Sequence, residues 1–181
     1  QLMAAFCYLQ SNMYDESLNV IDRFIALNPG SKEISYAYYM KGMNYFNQIS
    51  DVTRDQSITY IALKSFNEVI SRYANSKYAN DSKEKIKTIN DRLAGKELNI
   101  ALQYQNDHQW IAAINRYNDV INNFGQTRYA PEALHRLVEI YLSIGIIHQA
   151  EKYAATIGYN YPDSYWYKTS YELINEKLQT N

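Results

Sequence analysis

The sequence predicts an all-α protein built from repeated helical hairpins. Four tyrosines each follow a small or β-branched residue by three positions, in the pairs Ala5/Tyr8, Gly42/Tyr45, Ala101/Tyr104 and Val138/Tyr141. After each tyrosine comes a second pattern, in which a small residue, two mostly apolar residues and a breaker or small residue recur at fixed intervals. These sets are Ser17/Ile21/Phe24/Pro29, Ala62/Phe66/Val69/Ala74, Ala113/Tyr117/Val120/Gly125 and Ala150/Ala154/Ile157/Pro162. Spacings of three, four and seven place each stripe on one face of a helix.

These positions match the tetratricopeptide repeat, a hairpin in which small residues let two helices approach closely. One hairpin cannot bury its own apolar face, so several stack into a solenoid with a concave binding surface. We therefore predict one array over residues 1–181, divided into repeats at 1–29, 30–76, 77–127 and 128–163 with a capping helix at 164–181. The register places Gln1 to Tyr8 inside a helix already under way, so we expect the first repeat to be truncated.

The second repeat departs from the others at its turn. Tyr45 and Ala62 are seventeen residues apart, whereas the corresponding residues of the other hairpins are nine apart, so an insertion lies at about 47–57. Its candidate binding residues are Asp51, Arg54 and Asp55. Long loops in compact repeats often carry function. A tolerated surface loop is the alternative, because loop entropy grows slowly with length.

Two further helices are unusual. The third repeat begins with a long helix, predicted from about Tyr78 to Asn106 with a bend at Gly95. Its apolar stripe consists of Ile86, Ile89, Leu93, Ile100 and Tyr104. The C-terminal segment from Ser164 to Gln179 places Tyr167, Tyr171, Ile174 and Leu178 on one face. We interpret it as the cap of the array, and an aromatic docking surface is the alternative.

The composition narrows the class of partner. A net charge of -1 and a pI near 6.3 give no electrostatic footprint for nucleic acid, and nineteen tyrosines favour protein partners. The one cysteine, Cys7, excludes an internal disulfide framework, and we predict it to be a core residue of the first helix. No segment has the length and hydropathy of a membrane span.

The residues give no support for catalysis. His108, His135 and His148 lie in different hairpins, and the sequence contains neither a glycine-rich phosphate loop nor a recognisable acid/base pair of carboxylates. We therefore predict a non-enzymatic protein without cofactor or metal.

Longer segments resemble the BamD (ComL) lipoproteins of Gram-negative bacteria. They are residues 20–29 (VIDRFIALNP), 39–42 (YMKG), 91–94 (DRLA) and 113–116 (AINR). The insertion ending in Arg54-Asp55 and the long helix before the third hairpin also resemble that family, in the same order along nearly the whole chain.

The resemblance implies a scaffold subunit of the outer-membrane β-barrel assembly machine, anchored by an N-terminal lipid to the periplasmic face of the outer membrane. Family members have five repeats, so it implies a lipidated segment and a first repeat upstream of Gln1. Implied partners are the POTRA region of the BamA barrel subunit, other assembly lipoproteins and unfolded outer-membrane proteins. Arg116 matches the family's second-helix arginine and is the leading POTRA candidate. The other candidates are Asn115, His135 and Arg136.

The repeat register predicts an apolar, aromatic wall on the concave face of the first two hairpins. Its residues are Leu2, Phe6, Leu9, Tyr36, Tyr39, Met43 and Phe46. The wall lacks the Lys, Arg and Asn residues that clamp a peptide carboxylate, which argues against a chaperone-tail receptor. We take Phe6, Tyr36, Tyr39, Met43 and Phe46 as candidate substrate residues. Burial of part of this wall by a preceding repeat is the alternative.

A different envelope adaptor, associated with cell division or peptidoglycan, is the second functional class. Such an adaptor explains the repeats but not the insertion or the long helix.

Overall fold

A computed structural model describes residues 1–49 and 56–179, and every regular element within these ranges is an α-helix. The nine described helices are α1 (Leu2–Gln10), α2 (Tyr14–Leu27), α3 (Ile34–Gln48), α4 (Gln56–Arg72), α5 (Lys77–Asn106), α6 (Trp110–Phe124), α7 (Ala130–Ser143), α8 (Ile147–Asn160) and α9 (Tyr165–Gln179). The all-α, tetratricopeptide-like prediction is confirmed. Helices α1 to α8 fall pairwise within the four predicted repeats, and α9 follows them.

The opening small residue and the two mostly apolar residues of the second pattern are buried in all four repeats. The small residues that open the second pattern, Ser17, Ala62, Ala113 and Ala150, are each 0% exposed. At the crossing of α1 and α2 a side chain of one helix reaches the backbone of the other, since the Ser17 hydroxyl donates to the Ala5 backbone carbonyl at 2.8 Å. In the second hairpin, a Cβ on Gly42 would lie only 2.7 Å from the buried Phe66 ring. Small residues are therefore needed where two helices cross.

Three hairpins share one turn geometry. The repeat tyrosine carbonyl accepts a hydrogen bond from the N–H five residues later, in the pairs Tyr8/Met13, Tyr104/Gln109 and Tyr141/Ile146, at 2.8–2.9 Å. The residue before each donor has positive φ, namely 58° at Asn12, 58° at His108 and 78° at Gly145. Asparagine, histidine and glycine are the residues that adopt this conformation most readily. The tyrosine thus marks the end of each first helix as well as the helix crossing.

The turns that follow the four hairpins share a second signal, which the repeat pattern did not predict. A serine or threonine stands two residues after each breaker position, at Ser31, Ser76, Thr127 and Ser164. The backbone N–H of each donates to the carbonyl three residues earlier at 2.9–3.0 Å. The three serine hydroxyls accept a further hydrogen bond from a backbone N–H at the start of the next helix. These residues therefore initiate the helix that follows.

The helices form two compact units, which we call the first unit (Gln1–Ile89) and the second unit (Asn90–Asn181). In the first unit, α1 packs on α2, α2 on α3 and α3 on α4. Its main core consists of Leu2, Ala5, Ile21, Phe24, Ile34, Ala37 and Met40. In the second unit, α6 packs on α7, α7 on α8, and α9 on both α7 and α8. Among its described residues, one core cluster includes Tyr117, Leu137 and Ile140, and another includes Val138, Leu142 and Ile174.

The long helix is confirmed, and it continues without interruption through Gly95. A Cβ at this position would lie 3.0 Å from Cζ of Tyr129, so the glycine permits close packing of that ring. The residues of α5 that are most deeply buried in the second unit are Ala94, Leu98 and Ala101. Of the five residues predicted to form the apolar stripe of α5, only Ile89 is fully buried. The positions at the helix crossing are taken mostly by small residues instead, because these let the helices approach closely.

The prediction for Cys7 is wrong, because its side chain is exposed. The buried residues of α1 are Leu2, Ala5 and Leu9, spaced by three and four. Cys7 lies two residues from Ala5 and therefore on the opposite side of the helix. Leu2 and Leu9, two residues of the predicted wall, are 6% and 5% exposed, and their part in a groove remains a prediction.

The C-terminal helix covers α7 and α8 with only part of its apolar face. Ser170 and Ile174 are buried, whereas Tyr171 and Leu178 stay 59% and 49% exposed. Helix α9 therefore packs as a cap and also leaves an aromatic edge on the surface.

Candidate partner-binding surfaces

The first candidate surface is a cleft between the start of α1 and the start of α3. It has a volume of about 420 Å³ and is lined by Gln1, Leu2, Met3, Phe6, Glu33 and Tyr36. Phe6 and Met3 are exposed by 40% and 74%, so the cleft offers apolar surface to a ligand. The structure thus brings Phe6 and Tyr36 together, two of the five residues predicted to receive substrate.

Two other predicted groove residues, Tyr39 and Phe46, lie against neighbouring helices of the first unit. The Tyr39 ring stacks on Tyr78 at a centroid distance of 5.2 Å and tilts against Phe66 at 6.2 Å. Its hydroxyl donates to Asp81, and burial together with this hydrogen bond raises the pKa of Tyr39. Phe46 packs edge-on to Phe66 at 6.2 Å. Tyr39 and Phe46 therefore help to hold α3, α4 and α5 together.

Met43 is half-buried on α3. It completes the set of five predicted groove residues, and its part in a binding surface remains a prediction.

The second candidate surface is centred on α6. Arg116 Nη1 donates to Glu97 Oε2 of α5 at 2.9 Å, and the two side chains are 42% and 25% exposed. Asn115 is exposed beside Arg116 and lines a shallow cleft of about 570 Å³ with His108, Gln109, Trp110, Ile111 and Ala112. Ile111 is 79% exposed. Helix α6 therefore presents a cation, an amide and an aliphatic side chain to solvent.

His135 and Arg136 take a different position, inside a polar network of the second unit. His135 is 2% exposed, and its Nδ1 lies 2.8 Å from the Ser170 hydroxyl of α9. Its Nε2 lies 3.4 Å from Glu139 Oε1. The Nε2–H tautomer satisfies both neighbours, because Nδ1 then accepts from Ser170. The ring also packs on Trp166 at a centroid distance of 4.9 Å.

Arg136 donates to Glu139 at 3.0 and 3.1 Å and to Glu132 at 3.2 Å, and its guanidinium lies 5.3 Å from the Trp166 ring centroid. Gln105 of α5 donates to Glu139 at 3.1 Å. Burial alone would raise the pKa of Glu139, but hydrogen bonds from His135, Arg136 and Gln105 outweigh it and lower that pKa to about 2. The network holds its carboxylate ionised and ties α5, α7 and α9 together within the second unit.

The sequence contains only part of the signal for these contacts. Glu132, Arg136 and Glu139 follow the i,i+4 and i,i+3 spacings of helical ion pairs, which a charge-pattern search detects. Glu97 and Arg116 belong to different helices, nineteen residues apart, so no local spacing marks them as a pair.

The insertion residues Asp51, Arg54 and Asp55 lie outside the described residues, and their role remains a prediction. Across residues 1–49 and 56–179, no three His, Cys, Asp or Glu side chains form a group suited to a metal ion. None of the helices described in these ranges is long and apolar enough to cross a lipid bilayer.

Comparison with known proteins places the chain in a family. The model of the YfiO family, described as an outer membrane lipoprotein, matches residues 1–157. The outer membrane protein assembly factor BamD of Rickettsia prowazekii is 44% identical over 174 residues, which are 96% of this chain and 69% of that protein. BamD of Caulobacter vibrioides is also 44% identical, and the match covers 97% of this chain and 57% of that protein.

A more distant relative is BamD of Xylella fastidiosa, which is 30% identical over 91% of this chain. All three relatives are named assembly factors, which confirms the prediction of a non-enzymatic protein. The match of the family model to most of the sequence, together with these identities, shows that this chain belongs to the YfiO outer membrane lipoprotein family, which includes the BamD assembly factors.

Proposed function

We propose that this chain is a scaffold subunit of the machine that assembles β-barrel proteins in the outer membrane. Family membership supports this, as does the assembly-factor name of relatives of which the chain spans 57–69%. In this proposal the protein lies at the periplasmic face of the outer membrane and is attached by a lipid. The family description as an outer membrane lipoprotein supports the membrane and the lipid. In this proposal other lipoproteins of the machine are additional partners.

The α6 surface of the second unit binds the POTRA region of the barrel subunit. The observation that carries this assignment is the half-exposed Arg116 guanidinium, which is fixed by Glu97 and lies beside the exposed Asn115. A guanidinium has five donors, so one hydrogen bond to Glu97 leaves capacity for a carboxylate of the partner. His135 and Arg136 contribute indirectly, because they stabilise the packing of α7 and α9 from inside the unit.

A titration with purified POTRA domains tests this contact. Arg116→Leu should weaken binding by about 1–3 kcal/mol, because it removes charge-assisted hydrogen bonds from a partly desolvated pair. Arg23→Leu is the matched control, since Arg23 is an exposed arginine on α2 of the first unit. Equal affinities of wild type and Arg116→Leu would exclude Arg116 from the contact.

The cleft of the first unit receives an unfolded outer-membrane strand that carries aromatic side chains. Its apolar lining at Met3, Phe6 and Tyr36 supports this, because aromatic side chains bind such surfaces by stacking and apolar burial. Tyr39, Met43 and Phe46 extend the same apolar character along α3. Binding should therefore depend little on salt.

Fluorescence binding of a labelled strand peptide with an aromatic end measures this activity. Phe6→Ala should weaken binding by about 1–3 kcal/mol if the ring is an anchor. Leu27→Ala is the control, because Leu27 is similarly apolar and 64% exposed on α2. Tyr39→Ala and Phe46→Ala should weaken binding too, and their helical content must be checked because both rings pack against Phe66. A steep loss of affinity with added salt would point to a charged site instead.

A further inference from the structure

The Glu97–Arg116 ion pair places a carboxylate of this chain beside the position where a partner carboxylate would bind. Glu97 Oε2 accepts from Arg116 Nη1 at 2.9 Å, from a different helix of the second unit. Glu97 is also the less exposed of the two side chains, at 25% against 42%. The Arg116 guanidinium is therefore bonded to Glu97 while part of the side chain stays open to solvent.

The pair carries no net charge, and this weakens its attraction for a general anionic surface. An incoming carboxylate gains the attraction of Arg116 and meets the repulsion of Glu97 at a similar distance. Asp119 lies three residues after Arg116 on α6 and is exposed. It adds a second negative charge near Arg116, besides Glu97 of α5. An anionic group that approaches Arg116 without forming hydrogen bonds to it therefore gains little binding free energy.

A carboxylate that hydrogen-bonds the guanidinium through two parallel N–H donors overcomes this repulsion, because bidentate pairs combine two charge-assisted bonds with fixed geometry. We propose that Glu97 is a specificity-determining residue that competes with the partner for Arg116 and admits only a carboxylate placed to form this two-point contact. The inference rests on the proposed POTRA contact of α6.

Arg136 shows why the competition is specific to Arg116. Its guanidinium is bonded to both Glu132 and Glu139, and the side chain is only 24% exposed. Two carboxylates of the chain already bind both terminal nitrogens of Arg136, Nη1 and Nη2, whereas a single carboxylate binds Arg116 through Nη1.

The test is a titration of wild type, Glu97→Gln, Arg116→Leu and the double variant with purified POTRA domains. Removing the competing charge should tighten binding by about two- to fivefold, the range expected for an exposed ion pair. The double variant should bind as weakly as Arg116→Leu, because Glu97 acts only through Arg116. Glu97→Asp, which keeps the charge, should stay close to wild type.

A polyglutamate peptide serves as a second probe, for selectivity. Glu97→Gln should bind this flexible polyanion more tightly than wild type, by a larger factor than it gains for the POTRA domains. Damage to the fold lowers affinity, so a gain cannot arise from misfolding. Weaker or unchanged POTRA binding by Glu97→Gln would overturn the inference. Unchanged binding by Arg116→Leu would instead refute the proposed contact itself.

Discussion

The two units hold their helices together by different chemistry. In the first unit, the crossing of α3, α4 and α5 is filled by stacked aromatic rings, among them Tyr36, Tyr39, Tyr78 and Phe66. In the second unit, a charged network centred on Glu139 lies beside a core whose buried residues are mostly aliphatic. One repeat template therefore supports an apolar crossing and a polar one, and the two units should respond differently to acid and to changes in core volume.

The tryptophans make this difference measurable. Both of them, Trp110 and Trp166, belong to the second unit. Tryptophan fluorescence therefore follows unfolding of the second unit, whereas far-ultraviolet circular dichroism follows the helices of both.

The largest effect is expected at Phe66, the centre of the aromatic crossing. Phe66→Ala removes a fully buried ring and should destabilise the first unit by about 3–5 kcal/mol. In urea unfolding, the circular dichroism transition should shift while tryptophan fluorescence changes much less. Tyr60→Ala, at a position of α4 that is 66% exposed, is the control and should have little effect. Equal shifts of both signals would show that the units unfold together.

Acid should act mainly on the second unit. The pKa of Glu139 is about 2, below its ordinary value of 4.5, so its stabilisation is present above pH 4.5 and is lost as the pH falls towards 2. The full shift corresponds to about 3 kcal/mol at 1.36 kcal/mol per pKa unit, and solvent screening of the partly exposed Glu139 carboxylate makes the loss smaller than this. Urea unfolding followed by tryptophan fluorescence should show a steeper fall in acid for wild type than for Glu139→Gln. Parallel curves would contradict this assignment.

Substitution of one glycine in each unit by alanine compares how tightly the helices of the two units pack. Gly42→Ala places a Cβ 2.7 Å from the fully buried Phe66 ring. Alanine has a higher helix propensity than glycine, but the steric clash should still lower the free energy of unfolding by about 1–2 kcal/mol. Gly95→Ala places a Cβ 3.0 Å from Tyr129, whose half-buried ring has room to move. The free energy of unfolding of Gly95→Ala should therefore lie within about 0.5 kcal/mol of that of wild type. The measurement is the free energy of unfolding of each variant. A larger loss for Gly95→Ala than for Gly42→Ala would show that the helix packing is tighter at Gly95, contrary to our expectation.

The smallest effect is expected for an exposed ion pair. Arg72 and Glu68 form an i,i+4 pair in the first unit, with side chains 53% and 37% exposed. Such pairs contribute little because water screens them. Arg72→Met should leave the unfolding midpoint unchanged, in contrast to Glu139→Gln. A clear shift would show that the cation contact of Arg72 with Tyr38 matters more than its exposure implies.

The sequence predicted the repeat register well, because small residues at helix crossings are a steric requirement that recurs in every copy. Ser17, Ala62, Ala113 and Ala150 are all fully buried for this reason. Family membership was also predicted from local segments, and the comparisons confirm it. The serine or threonine that opens each following hairpin was detectable by its fixed distance from the breaker.

The surfaces were harder to predict, because exposure depends on which neighbouring helix covers a face. Cys7 was predicted to be a core residue, although the register of α1 turns it outward. His135 was grouped with surface residues, but α9 covers it through Ser170 and Trp166. Contacts between helices far apart in sequence decide these cases, and a single sequence does not contain them.

The central functional claim is that the second unit binds the POTRA domains while the first unit keeps its cleft open for substrate. Hydrogen exchange of the chain, with and without purified POTRA domains, tests it most directly. We predict slower exchange in α6 and unchanged exchange in α1 and α3. Protection of α1 and α3 with no change in α6 would contradict the account.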